Sequence, residues 1–212
     1  MIRSQLVARG ITDPAVLAAM GEIPRERFVP EALVERAYDD GALGIGGGQT
    51  ISQPYIVARM SEALALAAWI GAHPGAPPRV LEVGTGSGYQ AAVLARMGAR
   101  VFTVERDPGL AVAARQRLTD LGFKDIGVEI ADGSAGWPAE APYAGILIAA
   151  AAPEPPEPLL AELDDEGRLV APVGRRDIQE LVIVRRVGQR LETQTLEPCV
   201  FVPLVGRFGF AA

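Results

Sequence analysis

Two residue types that commonly staple or metallate a small domain are nearly absent: of 212 residues, one is cysteine and one is histidine. Cys199 alone cannot close an internal disulfide. With His73 it matches no zinc-ligand spacing, so no metal is expected. Cys199 also lacks an evident base to make it a nucleophile, because His73 lies in a loop dense in proline and glycine, residues 73–78. A buried small hydrophobe is the simpler reading. Basic clusters are missing as well. The net charge is −6 and the isoelectric point about 4.9, which disfavours a nucleic-acid partner and leaves a protein or small molecule. No basic-then-apolar leader opens the chain, and no apolar run reaches the length of about 18 residues that spans a membrane. A cytoplasmic protein without membrane contact is expected, and the short apolar stretch 63–70 reads as a core helix. What is present suffices for folding. Hydrophobic residues make up 49% and charged residues 22%, which suits one α/β domain with an elaboration.

The chain is organised around Val80-Leu81-Glu82-Val83-Gly84-Thr85-Gly86-Ser87-Gly88, followed by an alanine-rich segment. A short apolar run bounded by turn residues reads as a buried strand. The glycines permit positive φ and bring a ligand close to bare backbone. Strand, glycine turn and helix make the nucleotide-binding corner of a doubly wound, mostly parallel sheet. A dinucleotide fingerprint would need Gly-x-Gly-x-x-Gly, but Tyr89 stands where its third glycine belongs. Glu82 adds a carboxylate at the strand end, which suits a cationic amino-acid group better than a pyrophosphate. Acid-x-Gly-x-Gly-x-Gly is similar to the first motif of the class I S-adenosylmethionine-dependent methyltransferases, a Rossmann-like α/β fold.

The next strand, Arg100 to Glu105, ends in an acid about 20 residues past the glycine turn, placed to accept hydrogen bonds from ribose hydroxyls. Asp107-Pro108 opens a helix reaching Leu121 and closed by Gly122. A third strand, Gly127 to Ala131, ends at Asp132-Gly133, the edge that meets an adenine in such folds. Further elements follow: a strand Gly145–Ile148 running into alanines, a helix Pro155–Leu163, a strand Gly167–Val173, and two β segments, Glu180–Val184 and Arg190–Leu196, able to pair as a hairpin. Val200 to Gly206 reads as a last apolar strand. Residues 1–40 read as short helical pieces, one capped by Asp13 from Pro14 to Met20 and another from Pro30 to Tyr38. The expected organisation is a single domain, 1–212. It comprises an N-terminal helical layer with a flap (1–78), a cofactor-binding core (79–174) and C-terminal β segments (175–212).

Gly41 to Gly48 holds five glycines and leads into Gln49-Thr50-Ile51-Ser52-Gln53-Pro54. Two readings stand side by side. Ser52 or Gln53 caps a helix that runs from Pro54 to about Trp69, with Ile56, Met60, Leu64 and Ala67 as its inner stripe. Alternatively the segment is a mobile flap carrying hydroxyl and amide groups over a substrate.

Over nearly its full length the sequence resembles the protein-L-isoaspartate (D-aspartate) O-methyltransferases. The matching residues include Arg9-Gly10-Ile11, Pro24-Arg25-Glu26, Thr50-Ile51-Ser52-Gln53-Pro54, the glycine motif, Asp132-Gly133, Ala150-Ala151-Ala152-Pro153 and Phe201 to Gly206. The resemblance implies S-adenosyl-L-methionine as cofactor, S-adenosyl-L-homocysteine as product, and isoaspartyl peptides and proteins as substrates, methylated to begin their repair by a monomeric enzyme. It implies Ser52 as the active-site hydroxyl, with Gln49, Thr50, Ile51, Gln53 and Val205 on the substrate side. Glu82, Gly84, Thr85, Gly86, Gly88, Glu105, Arg106, Asp132 and Gly133 fall on cofactor positions. The chain departs from the family pattern at Tyr143-Ala144, at Ala149 and at Gly46-Gly47-Gly48. It also lacks the Asn-Pro-Pro-Tyr type sequence of many amine methyltransferases. Alternatives are a relative that methylates ordinary aspartate in a dedicated peptide, an RNA or small-molecule methyltransferase, a non-catalytic cofactor-binding module and, last, a nicotinamide oxidoreductase.

Overall fold

The computed structural model describes residues 1–211. The chain opens with two short helical turns, Ile2–Leu6 and Val7–Arg9, before α1 (Pro14–Glu22). Asp13 caps α1 by accepting from the N–H groups of Ala15 and Val16, with Pro14 in the first turn. The helix expected from Pro30 to Tyr38 is instead a tight 3-10 segment, Glu31–Arg36. None of its six residues is buried, so no apolar face offsets the cost of nucleating a regular helix.

The glycine-rich connector folds as a hairpin, β1 (Leu43–Gly46) with β2 (Gln49–Ile51). Gly47 and Gly48 form a two-residue loop at φ 59° and 72°, a conformation that matches the strand twist and that glycine adopts without strain. Leu43 and Ile51 pair across it and anchor the hairpin in the core.

The helix expected from Pro54 to about Trp69 is two helices, α2 (Pro54–Ala63) and α3 (Leu66–Ala72), broken where Ala65 takes the left-handed conformation at φ 50°. Its inner face is also turned by one residue: Val57, Met60, Ser61 and Leu64 are buried, whereas Ile56 is only half-buried and Ala67 is exposed. The Ser61 hydroxyl explains the rotation. It donates to the Val57 carbonyl at 2.8 Å and accepts from Gln90 at 2.8 Å, tying this face to the neighbouring layer. Residues Pro54–Ala72 are long and apolar enough to cross a membrane by composition alone; here the chain breaks at Ala65, α2 packs into the core, and of α3 only Leu66 is buried.

The remaining elements build one sheet. In chain order they are β3 (Arg79–Val83), α4 (Tyr89–Arg96), β4 (Arg100–Glu105), α5 (Pro108–Asp120), β5 (Gly127–Ile130), β6 (Tyr143–Ile148), α6 (Glu157–Ala161), β7 (Leu163–Gly174), β8 (Gln179–Val187) and β9 (Arg190–Cys199). The strand order is β5-β4-β3-β6-β7-β8-β9. Strands β5 to β7 run parallel, and β8 and β9 continue the same sheet antiparallel. Every position of β6 is buried, as a central parallel strand covered on both faces requires. Order reverses between β3 and β6, so a crevice opens at their carboxyl ends.

Two boundaries differ from expectation. Helix α6 is short because β7 begins early, Leu163 pairing with Tyr143 before a bulge at Glu166 and Gly167. The segment 200–206 is not a strand beside β9. It crosses the end of β6, where the Ala151 N–H donates to the Val202 carbonyl and the Leu204 N–H to the Ala151 carbonyl. That path carries it to the mouth of the crevice.

Candidate active site

One cleft occupies the switch point. Its floor is the end of β3 and the glycine turn; its walls come from the residues after β4, β5 and β6; its roof is Gln49 to Ser52 from β2 and the loop that follows. Val205 and Leu204 close one side. Gly84, Gly86 and Gly88 have φ of 95°, 51° and 87°, the left-handed backbone that bends the chain from β3 into α4. Gly88 has a packing role besides, because a Cβ there would press on Leu118 at 3.3 Å. It does not line the cleft. Gly133 does, and a Cβ would lie 2.6 Å from Val83.

Glu82 is fully buried. Strand register sets Thr103 beside it, and a directed chain results: Thr85 to Thr103 at 2.7 Å, then Thr103 to Glu82 Oε2 at 2.5 Å. Oε1 is buried with no partner. Burial, opposed by the Thr103 hydrogen bond and reinforced by the Glu105 charge, pushes the Glu82 carboxyl up from 4.5 to about 8. An orphaned, buried carboxylate oxygen facing a cleft is what a cationic amino group would complete. Glu105 orders the turn: its oxygens accept from the N–H groups of Gly86 at 2.9 Å and Asp107 at 3.0 Å. Each oxygen keeps a second lone pair, so ligand hydroxyls can still be accepted. Arg106 is exposed at the cleft edge.

Asp132 stands at the edge of the cleft, next to the lining residue Gly133. It does not line the cleft; it accepts from Ser134 N–H at 3.0 Å, Ser134 Oγ at 2.7 Å and Arg207 N–H at 2.7 Å. Burial raises its carboxyl, but these hydrogen bonds, with Arg106 nearby, outweigh it and leave it below the ordinary 3.8. Gln53 is also turned away. It is the residue preceding α2 but its side chain caps nothing; its amide donates to Asp40 at 2.7 Å, in a neighbouring groove with Tyr55 and Glu197. Gln49, Thr50, Ile51 and Ser52 do converge on the cleft with Val205.

The residue that sequence reading passed over is Arg25. It is completely buried, and its Nη2 donates to the Ser52 carbonyl at 2.7 Å. The match at Pro24-Arg25-Glu26 was its only sequence signal; a lone arginine after a helix-stopping proline ordinarily reads as solvated surface, so its burial is revealed by the tertiary packing alone. Thr103 was likewise hidden as a routine β-branched strand residue.

A sequence profile of the family described as protein-L-isoaspartate(D-aspartate) O-methyltransferase matches residues 1–209. The chain belongs to that family. A protein-L-isoaspartate O-methyltransferase of Methanoregula boonei is 49% identical over 210 residues, covering 99% of this chain and 93% of its own. One from Methylorubrum extorquens is 54% identical over 212 residues, covering 100% and 89%. A solved protein-L-isoaspartate O-methyltransferase superposes with a TM-score of 0.84 at 27% identity, over 99% of this chain and 67% of that one. Membership in this family makes the fold a Rossmann-like class I methyltransferase and the cofactor S-adenosyl-L-methionine. The residues present fit that cofactor: the unpartnered Glu82 oxygen, the open glycine turn and the Glu105 carboxylate are the donor and acceptor set it calls for. No group of histidine, cysteine and acidic side chains suited to a metal occurs among the described residues.

Proposed function

We propose that this protein methylates the free carboxylate of isoaspartyl residues in damaged peptides and proteins, with Ser52 orienting the acceptor. The observation that carries this reading is the convergence of Ser52, on the roof, with the Glu82–Thr103–Thr85 chain and the glycine turn on the floor of one cleft. S-adenosyl-L-methionine, when bound, supplies a methyl group activated by a sulfonium. Glu82, Gly84, Thr85, Gly86, Glu105 and Gly133 would hold it, while Gln49, Thr50, Ile51 and Val205 enclose the acceptor. Asp132 and Gly88 act on the site by shaping its loops.

The chemistry asks little of acid–base groups. A carboxylate with an ordinary pKa near 4 is ionised at neutral pH and needs no proton removed. In keeping with this, the lone His73 is stacked on Trp69 at 4.1 Å and lines no part of the cleft. What the protein must supply is alignment and exclusion of water. Holding the reacting atoms in line is worth roughly 7 kcal/mol or more. Ser52, at the end of the hairpin, orients the carboxylate and does not attack. We further read the enzyme as one without a nucleic-acid partner, on the acidic charge balance.

The test is transfer of labelled methyl to an isoaspartyl peptide, with the matched aspartyl peptide as control. Base-labile label on the isoaspartyl peptide alone supports the proposal. Label on the aspartyl peptide, or cofactor binding with no transfer, would replace it by a dedicated-peptide methyltransferase or a binding module.

A further inference from the structure

Arg25 is the largest completely buried side chain in the protein, and it forms no ion pair among the described residues. Its hydrogen bonds go to two backbone carbonyls: Nε to Ala37 at 2.8 Å and Nη2 to Ser52 at 2.7 Å. Its guanidinium carbon sits 4.8 Å from the centroid of the Tyr89 ring. Nη1 is buried with no hydrogen-bond partner. Burial draws its pKa down, against the opposing pull of Tyr89 and Tyr38. A buried guanidinium without a carboxylate is costly.

The contacts join two halves of the cleft. Ser52 belongs to the roof that faces the acceptor; Tyr89 is the first residue of α4, on the floor beside the glycine turn. Arg25 bridges them from behind the cleft wall. A planar fork donates to both carbonyls in fixed directions while lying on the ring, whereas an ammonium is a compact charge on a flexible stem that does not reproduce that geometry. We propose that Arg25 is a positioning residue that fixes the acceptor loop relative to the cofactor turn, its unneutralised charge favouring an anionic acceptor at Ser52. This rests on the carboxyl methyltransferase reading above.

The experiment begins with the wild-type protein, whose transfer to the isoaspartyl peptide tests that reading separately. Arg25→Lys keeps the charge and loses the fork. It is expected to lower kcat roughly 10- to 100-fold, as misplacement by about an ångström does, with S-adenosyl-L-homocysteine affinity and peptide KM near wild type. Arg25→Met loses both, and is expected to raise peptide KM as well. Assays run well below each variant's melting temperature, on protein shown to be folded. A purely structural arginine would lower Tm while leaving kcat per folded enzyme unchanged, and that result overturns the proposal. If neither variant folds, the side-chain nitrogen NMR signals of Arg25 in the wild-type protein decide. A shift on adding isoaspartyl peptide to the cofactor-product complex supports the proposal, and insensitivity to peptide overturns it.

Discussion

Replacing Glu82 by glutamine isolates one buried charge, and its consequences can be worked out from the structure. The carboxyl is fully buried, accepts one hydrogen bond from Thr103 and leaves Oε1 bare. Its pKa rises from 4.5 to about 8 in the ligand-free protein. Between those pH values the folded protein holds a proton that the unfolded chain has released, so raising the pH through this window costs stability. At about 1.36 kcal/mol per decade, the full penalty is about 5 kcal/mol once pH passes 8. Glu82→Gln removes the titration but keeps the shape and the acceptor for Thr103. Urea unfolding of ligand-free protein at several pH values from 5 to 9 measures the difference. Wild type is expected to lose stability relative to Glu82→Gln steadily up to about pH 8, then to level off. Cofactor binding should show the opposite preference. A cationic amino group beside Oε1 favours the ionised form, so wild-type protein releases a proton on binding near pH 7, and Glu82→Gln binds weakly with no such release. Calorimetry in buffers of different ionisation enthalpy reads that proton. Parallel stability curves for the two proteins would refute the reasoning.

Other outcomes follow from the same geometry. Ser52→Ala should slow kcat on isoaspartyl peptide by roughly 10- to 100-fold, with S-adenosyl-L-homocysteine affinity unchanged by calorimetry. Gln53→Ala should leave peptide KM near wild type, because the Gln53 amide is engaged with Asp40; steady-state kinetics on the isoaspartyl peptide checks this. Asp132→Asn should reduce stability at neutral pH and abolish a loss that wild type shows in acid. The Asp132 carboxyl is depressed in the fold, so its contribution is present above the ordinary 3.8 and disappears as pH falls through the lower folded value. Thermal melts from pH 2.5 to 7 test that sign.

The β3–α4 corner, with its acid and glycine turn, was legible because strand, turn and helix signals lie consecutively in the chain and each has a local physical cause. The strand Arg100–Glu105 was legible for the same reason, and so were the caps of Asp13 and Asp107, which act within three residues. Where reading failed, distant contacts had decided. The break at Ala65 leaves alanine-rich flanks that favour helix on both sides. The segment 200–206 has the composition of a strand, yet its hydrogen bonds go to Ala151 at the end of β6.

The sequence by itself determined the sheet's central strands, the glycine turn after β3 and the series of acids at strand ends, because side-chain periodicity and glycine conformations act over a few residues. Tertiary structure alone decided which of those acids face the cleft. Glu82 is left with a bare oxygen, Glu105 braces the turn, and Asp132 accepts from Ser134 and Arg207. It also decided that Arg25, 27 positions away in the chain, reaches the Ser52 carbonyl. Such choices depend on burial and on partners brought together from far along the chain, and no local pattern carries them.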